Sequence, residues 1–218
     1  GNSAEAYYML AEIAMDEDFS GARKLYSRSG NLLKRAKDYG MKALDASYPG
    51  FIKSYNSDPK IALSKTNESN ISTLYWTAAA WGLFVSVSKD NPAAIIELPN
   101  IGHLLERALE LDEDYDNGSI HDLMFTYTLN RPDGGSSSLE VAKGHFDRAM
   151  DLSEGSRASL YVSYAESISI PNQNKEEFFN LLDQALAVDV NEIPNQRLAN
   201  ILAQERANWL KSRVDELF

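Results

Sequence analysis

Cysteine is absent from the 218 residues, so disulfide bonds, thiolate nucleophiles, zinc–thiolate sites and iron–sulfur clusters are excluded as features of this sequence. The redox compartment stays open, because a cysteine-free chain is compatible with either side of a membrane. Strand signals are also scarce, since alternating β-branched runs joined by Asn-Gly turns are nearly absent. Apolar residues instead recur at three- and four-residue spacing, which predicts an all-α protein.

Positive charge is in short supply. Thirty-two acidic residues against 21 basic ones give a formal net charge of −11. Such a surplus of negative charge repels phosphate backbones and anionic lipid head groups. We therefore expect no nucleic-acid partner, and no membrane contact except through a lipid anchor.

Long apolar runs are limited to one uncharged segment, from Ser69 to Ser88. Seven of its 20 residues are Ser, Thr or Asn, and a lone membrane span would have to desolvate them. We interpret the segment as a buried helix. The amphipathic N-terminal segment lacks basic residues and a cleavage site, so we expect any native signal segment to lie upstream of Gly1.

Helix starts are marked by an N-cap residue followed three positions later by Glu, at Asn2 with Glu5, Ser137 with Glu140 and Asn174 with Glu177. Breakers at Pro49-Gly50, Pro59, Pro92, Pro99, Pro132 to Gly135, Pro171 and Pro194 divide the chain into segments of helical length. The predicted helices span Ser3–Glu17, Gly21–Ala46, Gly50–Tyr55, Pro59–Ser64, Asn70–Ser88, Asn100–Leu111, Ser119–Asn130, Ser138–Leu152, Ser156–Ile168, Lys175–Val188 and Asn195–Leu217.

One helix pattern recurs along the chain. LLERALELD, HFDRAMDLS and NLLDQALAVD are versions of it, and DYGMKALDAS is a looser fourth copy. Ala43, Ala108, Ala149 and Ala185 fall in register, the last three 41 and 36 residues apart, just above the roughly 34 residues of a tetratricopeptide repeat. The pattern predicts a single domain over residues 1–218, a tetratricopeptide-like superhelix of stacked antiparallel helix pairs with a concave groove.

The sequence resembles the T-component family of tripartite ATP-independent periplasmic (TRAP) transporters. The carrying segments are LYWTAAAWG, RALELDEDYDNGSIHD, GHFDRAMDLSEG, RASLYVSYAES and RLANILAQERANWLKSRVDELF. The resemblance implies a helical-repeat lipoprotein that faces the periplasm, has a hydrophobic cleft or pore and associates with the transporter's solute-binding protein. It also allows a homo-oligomer. The family's anchoring cysteine would have to lie outside this sequence.

Aromatic residues supply the main candidate for a ligand-binding site. They lie on the first helices of successive pairs, which line the concave side of a tetratricopeptide stack, so the rings are predicted to converge on a groove for an apolar or amphipathic ligand. The alternative is plain core filling. The candidate aromatic residues are Tyr75, Trp76, Trp81, Phe125, Tyr161 and Tyr164.

Three polar residues complete the predicted ligand-binding set. His121 begins the helix IHDLMFTYTLN one turn before Phe125, and its alternative is a capping or inter-helix hydrogen bond. Arg206 projects onto the apolar stripe of the last helix, and Arg131 ends an earlier one. Each arginine needs a partner, either an inter-helix carboxylate, which we favour, or a ligand carboxylate.

The small residues Ala78, Ala79, Ala80 and Gly82 predict that their helix is central and closely approached by its neighbours. On this basis Gly82→Leu is expected to overpack the centre and cost about 1–3 kcal/mol.

No pattern in the sequence indicates catalysis. The histidines His103, His121 and His145 form no recognised ligand pair and are expected to be structural. Asp112, Asp114 and Asp116 resemble the opening of a calcium loop, but Asn117 replaces its turn glycine and Leu123 its bidentate Glu. We therefore expect no enzyme activity, no cofactor and no metal site.

Two functions remain open at this point. The first is a non-enzymatic periplasmic accessory component of a TRAP transporter, lipid-anchored in its full-length form, which docks the solute-binding protein and holds a hydrophobic or amphipathic ligand in its cleft. The alternative is a cytosolic tetratricopeptide scaffold that binds a partner peptide in the concave groove.

Overall fold

The computed structural model of the chain describes residues 2–15, 18–88, 91–131 and 138–218. The predicted capping pairs at Asn2 and Ser137 rest on side chains outside this part, and the breaker from Pro132 to Gly135 lies outside it as well. The all-α prediction is confirmed, because no strand occurs among the described residues. In the same ranges, no helix is both long enough and apolar enough to cross a membrane.

The helices match most of the predicted boundaries to within two residues. They are α1 (Asn2–Ala14), α2 (Phe19–Ser47), α3 (Phe51–Ser57), α4 (Pro59–Leu63), α5 (Ile71–Ser86), α6 (Pro92–Ile95), α7 (Leu98–Leu111), α8 (Tyr115–Asn130), α9 (Ser138–Ser153), α10 (Ala158–Tyr164), α11 (Lys175–Ala187), α12 (Arg197–Ser212) and α13 (Val214–Leu217). A π-helical segment, Ala165–Ser169, follows α10. The final predicted helix is interrupted at Arg213, which separates α12 from α13.

One predicted cap can be read in full. The Asn174 side chain accepts a hydrogen bond from the Glu177 backbone N–H at 3.2 Å, as an N-cap residue should. The Glu177 carboxylate does not complete a capping box with Asn174, because it accepts a hydrogen bond from the Ser169 hydroxyl at 2.7 Å.

The packing divides the chain into two compact units, which change over within the first turn of α8. The first unit covers Ser3–Asp116 and the second Asn117–Phe218. The single domain and its superhelical path stay predictions.

In the first unit, α5 packs against both α2 and α7. The closest approach of α2 to α5 lies at Gly40, where an added Cβ would be 1.9 Å from Thr77 Oγ1. Leu33 and Leu44 of α2 and Leu74 of α5 are fully buried. The predicted central position of α5 within this unit therefore follows from its two neighbours.

The prediction for Gly82 is wrong. A Cβ added at Gly82 would meet nothing within 4 Å, so this glycine lies on the open side of α5 and a larger side chain there does not overpack the centre. Gly40 is the glycine that permits the close helix contact in this unit.

In the second unit, α10 packs against α11 and α12, and these two also pack against each other. Their shared core contains Tyr161, Phe178, Leu182, Ala207 and Leu210. The helices α8 and α9 run antiparallel, since Gly118 lies against Ala149 while Phe125 shares a cluster with Ala142. This is the helix-pair arrangement that the repeat pattern predicts.

The repeat register holds for three of its four alanines. Ala108, Ala149 and Ala185 are each 0% exposed, as small residues in helix-to-helix contacts should be. Ala43 is exposed, so the register proposed for the fourth copy is wrong. Gly40, three residues earlier, occupies the contact that the pattern had assigned to Ala43.

Candidate functional site

The nine predicted ligand-binding residues are divided between the two units. Tyr75, Trp76 and Trp81 lie on α5 in the first unit. The other six lie in the second unit; they are His121, Phe125, Arg131, Tyr161, Tyr164 and Arg206. A common groove for all nine stays a prediction.

Trp81 takes part in a charged cluster at the side of α5. Its indole N–H donates a hydrogen bond to Glu97 Oε2 at 2.7 Å, and Lys37 Nζ donates to the same oxygen at 3.2 Å. The Lys37 ammonium also lies 4.5 Å from the Trp81 ring centroid, a cation–π distance. These contacts link α2, α5 and the residue that precedes α7.

Tyr75 and Trp76, the other two candidate residues on α5, form a small surface group. The Tyr75 ring contacts Trp76 at a centroid distance of 5.1 Å and Tyr115 at 5.5 Å. Trp76 is 49% exposed, so a large apolar ring faces solvent at this point of the first unit.

In the second unit, α8 and α9 bring four rings together in two successive pairs. The rings of His121 and His145 have centroids 5.1 Å apart, and one turn along the hairpin those of Phe125 and Phe146 are 5.5 Å apart. Tyr164 of α10 joins the second pair, with its ring 6.0 Å from Phe125 and 4.7 Å from Phe146. We call these five residues the aromatic–histidine cluster.

Exposure differs within the aromatic–histidine cluster. Phe125 is fully buried and holds the cluster to the core, whereas Phe146 and Tyr164 are half-buried. An apolar ligand could therefore contact Phe146 and Tyr164 without displacing Phe125. Lys143 lies at the edge of the cluster, with its ammonium 6.0 Å from the Tyr164 ring centroid.

The two histidines form an inter-helix hydrogen bond, with their Nδ1 atoms 2.9 Å apart. One ring must donate and the other accept, so at least one imidazole is neutral. Desolvation and the neighbouring His121 lower the pKa of His145 from 6.5 to about 4. At neutral pH His145 is uncharged, which suits an apolar surrounding. The pairing realises the hydrogen-bond alternative predicted for His121, while His145 as its partner was missed.

The π-helical segment directly follows Tyr164. Its wider turn is closed by a hydrogen bond from the Ile170 N–H to the Ala165 carbonyl at 3.0 Å. A Schellman cap then ends the helix: Gln173 has a φ of 55° and its backbone N–H donates to the Ile170 carbonyl at 3.0 Å, and the Asn174 N–H donates to the Ser169 carbonyl at 2.9 Å. Ile168 of this segment packs against Phe125, so the segment forms one wall of the aromatic–histidine cluster. Single π-helical turns inside α-helices occur frequently at functional sites.

Arg206 has the inter-helix carboxylate that we favoured from the sequence. Its Nε and Nη2 atoms donate to Glu166 Oε1 at 3.0 and 2.6 Å, and its guanidinium carbon lies 4.2 Å from the Trp209 ring centroid. Glu166 belongs to the π-helical segment, so this ion pair ties that segment to α12. Arg131 follows the last residue of α8 and is half-buried.

Tyr161 lies in the core of the second unit and is 8% exposed. Its hydroxyl donates to the Gly155 carbonyl at 3.3 Å, and burial raises the pKa of this phenol above 10. These contacts correspond to the core-filling alternative, so we centre the candidate site on Phe146 and Tyr164.

Sequence reasoning also missed a buried arginine. Arg157 is 7% exposed and donates to the Asn117 carbonyl at 3.2 Å and to Ser119 Oγ at 2.5 Å. Asp116, Asn117 and Gly118 have φ values of 46°, 53° and 85°, so they form a left-handed turn. The hydrogen bonds of Arg157 hold this turn in place. The segment that resembles the opening of a calcium loop therefore contains a turn of three left-handed residues, which the Arg157 side chain fixes.

Asp122 lies beside this arginine. Desolvation raises the pKa of the Asp122 carboxyl above its usual 3.8, while the Arg157 charge and a 2.8 Å hydrogen bond from Ser159 oppose that shift. The second unit therefore places ionisable groups inside its helix packing at two points, the histidine pair and the Arg157–Asp122 pair.

The fold and the cluster define an all-α protein of paired antiparallel helices whose candidate site is built from aromatic rings. The sequence profile of the TRAP transporter T-component family matches residues 4–218. The chain belongs to this family, as the resemblance had indicated. The family's description is that of a component of TRAP transporters.

A relative from Treponema pallidum (strain Nichols), described as an uncharacterized protein, is 27% identical over 216 residues. The match covers 95% of this chain and 66% of the relative, so the chain spans just under two thirds of that relative's length.

Proposed function

We propose that the chain is a non-enzymatic accessory component of a TRAP transporter that holds a hydrophobic or amphipathic small ligand at the aromatic–histidine cluster. In its full-length form it would be lipid-anchored in the periplasm and would dock the solute-binding protein. Membership of the T-component family supports the transport role.

The observation that carries the ligand proposal is the contact of Phe146 and Tyr164, two half-buried rings 4.7 Å apart above a fully buried Phe125. Rings presented in this way offer an apolar surface that needs little rearrangement on binding. His145 is uncharged at neutral pH. The histidine end of the cluster can therefore form a hydrogen bond with a ligand without burying a charge.

The electrostatics favour a ligand that is mostly apolar. Arg206, which contacts the π-helical segment, is already paired with Glu166. The ammonium of Lys143 lies at the rim, where it could attract the polar head of an amphipathic molecule. A fatty acid or a similar amphiphile has both of these properties.

The proposal is tested with a fluorescent long-chain fatty acid titrated into the full chain. Phe146→Ala and Tyr164→Ala are each expected to raise Kd about tenfold, because each removes an aromatic contact worth about 1–1.5 kcal/mol. Trp76→Ala is the matched control, since it removes an exposed ring from the first unit. Its Kd is expected to stay within about twofold of the wild type.

Equal weakening by Trp76→Ala would place the ligand elsewhere, and no saturable binding by the wild type would remove the ligand proposal. Docking is tested separately by calorimetry with the purified solute-binding protein of the same transporter. Absence of heat and of co-elution would contradict the docking half of the proposal.

A further inference from the structure

The first unit carries a cationic face on an otherwise acidic chain. Seven of the 21 basic residues and only two of the 32 acidic ones lie on α2, which gives this helix a formal charge of +5 and leaves −16 on the rest. The net charge of −11 therefore conceals a strongly uneven distribution of charged residues along the chain.

Six of the seven cations lie on the solvent side of α2. At 100° per residue they fall within about 140° of the helix circumference, opposite the buried residues Ala22, Ser29 and Leu33. All six are exposed, and none has a carboxylate partner in the part of the chain that the structure describes. We call them the basic stripe; its members are Arg23, Lys24, Arg28, Lys34, Arg35 and Lys42.

The basic stripe follows one straight helix for about 28 Å, at a rise of 1.5 Å per residue. Ser20, Arg23, Lys24 and Ser27 line an open recess at its N-terminal end, where two cations and two hydroxyls face the same space. Phosphate oxygens bind to this combination of groups. One exposed carboxylate, Asp38, interrupts the stripe.

Exposed apolar side chains occur at the first residue of α2 and on α1. Ile13, in the last turn of α1, is 45% exposed, and Phe19, the first residue of α2, is 61% exposed. The Arg23 guanidinium lies 5.9 Å from the Phe19 ring centroid, so the apolar end and the basic stripe are continuous. Leu10, one turn earlier on α1, is 52% exposed.

We propose that the basic stripe of α2 docks on an anionic phospholipid bilayer, with Phe19 entering the head-group region. A phosphate-rich plane matches the length and charge of the stripe, and its acyl boundary accommodates the exposed Phe19 ring. Nucleic acid offers no such apolar layer. Charges are screened over about 8 Å at physiological ionic strength, so acidic groups farther than this from the stripe contribute little repulsion.

The full chain is tested by flotation with vesicles of phosphatidylcholine containing about 30% phosphatidylglycerol, against vesicles of phosphatidylcholine alone, in about 50 mM NaCl. The wild type is expected to bind the anionic vesicles only, and to be released by about 500 mM NaCl. Replacing Arg23, Lys24 and Arg28 by Gln is expected to weaken partitioning about a hundredfold, at roughly fivefold per charge.

The control variant replaces Lys53, Lys60 and Lys65 by Gln. It makes the same change in net charge at exposed positions of the same unit, outside α2. It is expected to retain partitioning within about threefold. Circular dichroism of both variants establishes that the helices are intact.

A further variant tests the apolar contact. Phe19→Ser is expected to weaken partitioning about tenfold, because it removes an exposed apolar ring. The salt dependence of partitioning should stay unchanged, since no charge is removed.

Several outcomes would overturn the proposal. One is no binding of the wild type to anionic vesicles, and another is equal loss in both triple variants. If inorganic phosphate at constant ionic strength released the protein, the recess would be a site for the free anion. Self-association that the Gln triple variant abolishes, without vesicle binding, would make the stripe a contact between copies. Capture of an acidic protein without vesicle binding would also exclude the bilayer.

Discussion

The two units bury their polar groups differently. In the first unit, α2, α5 and α7 meet through apolar side chains, the close contact of Gly40 with Thr77, and the cluster of Lys37, Trp81 and Glu97, in which Trp81 is buried and Glu97 partly exposed. In the second unit, Arg157, Asp122 and the His121–His145 pair lie within the helix packing. Similar helix pairs can therefore be held together either by close-fitting side chains or by buried polar partners. Burial shifts the pKa values of Asp122 and His145 in the second unit, so the stability of this unit is expected to depend on pH.

The largest effect is expected at Arg157. Arg157→Met leaves the Asn117 carbonyl and Ser119 without their donor and Asp122 without its neighbouring cation, at a cost of about 3 kcal/mol in the free energy of unfolding at pH 7. The deficit should shrink as the pH falls, because protonation of Asp122 removes the uncompensated charge. Urea unfolding at pH 7 and pH 5 measures both effects.

Arg107→Met in the first unit is the matched control. Arg107 also donates to a carbonyl, that of Thr66 at 2.6 Å, but it pairs with an exposed Glu110. A loss of about 1 kcal/mol is expected, with no dependence on pH between 5 and 7. Equal losses at Arg157 and Arg107 would break the distinction between the units.

A smaller effect tests surface fit in the first unit. Gly40→Ala should cost about 2 kcal/mol, because its Cβ would lie 1.9 Å from Thr77 Oγ1 and 2.9 Å from Thr77 Cβ. Gly82→Ala, on the open side of α5, should instead stabilise by about 0.5–1 kcal/mol through helix propensity. Thermal unfolding of the two variants gives both signs in one experiment. Stabilisation by Gly40→Ala would contradict the close contact.

The smallest effect concerns the histidine pair. The pKa of His145 is about 4 in the folded chain and 6.5 in the unfolded chain, so the unfolded state binds more protons between these values. Stability should be complete above about pH 6.5 and fall as the pH drops towards 4, by about 1 kcal/mol at pH 5 after allowance for solvent screening. His145→Gln should remove this part of the pH dependence, while His103→Gln in the first unit should retain it. Unchanged pH dependence in His145→Gln would contradict the assignment.

The sequence predicted helix ends and contacts that depend on local pattern. The positions of Ala108, Ala149 and Ala185 in helix contacts follow from the spacing of small and large residues, and these alanines are fully buried. Ala43 failed because a nearby glycine satisfies the same packing rule better, and only the position of Thr77 distinguishes the two.

The candidate site was predictable only in part. Tyr164 and Phe125 were named from helical spacing, but His145 and Phe146 join them through the register of α8 against α9. The small residues Gly118 and Ala149 are the sequence signal for that register. Their close contact places His121 opposite His145. The π-helical segment was predicted as ordinary α-helix, because its extra residue depends on contacts with Glu177 and Arg206 that lie in other helices.

The π-helical segment has a geometric consequence for its own side chains. A turn closed five residues apart holds one residue more than an α-turn, so each later side chain is rotated by about 100° from its place in an uninterrupted helix. Glu166 and Ser169 thereby point to different neighbours, one towards Arg206 and the other towards Glu177. Deleting a single residue here would restore ordinary winding and carry one of these side chains away from its partner, which makes the length of this segment as important as its composition.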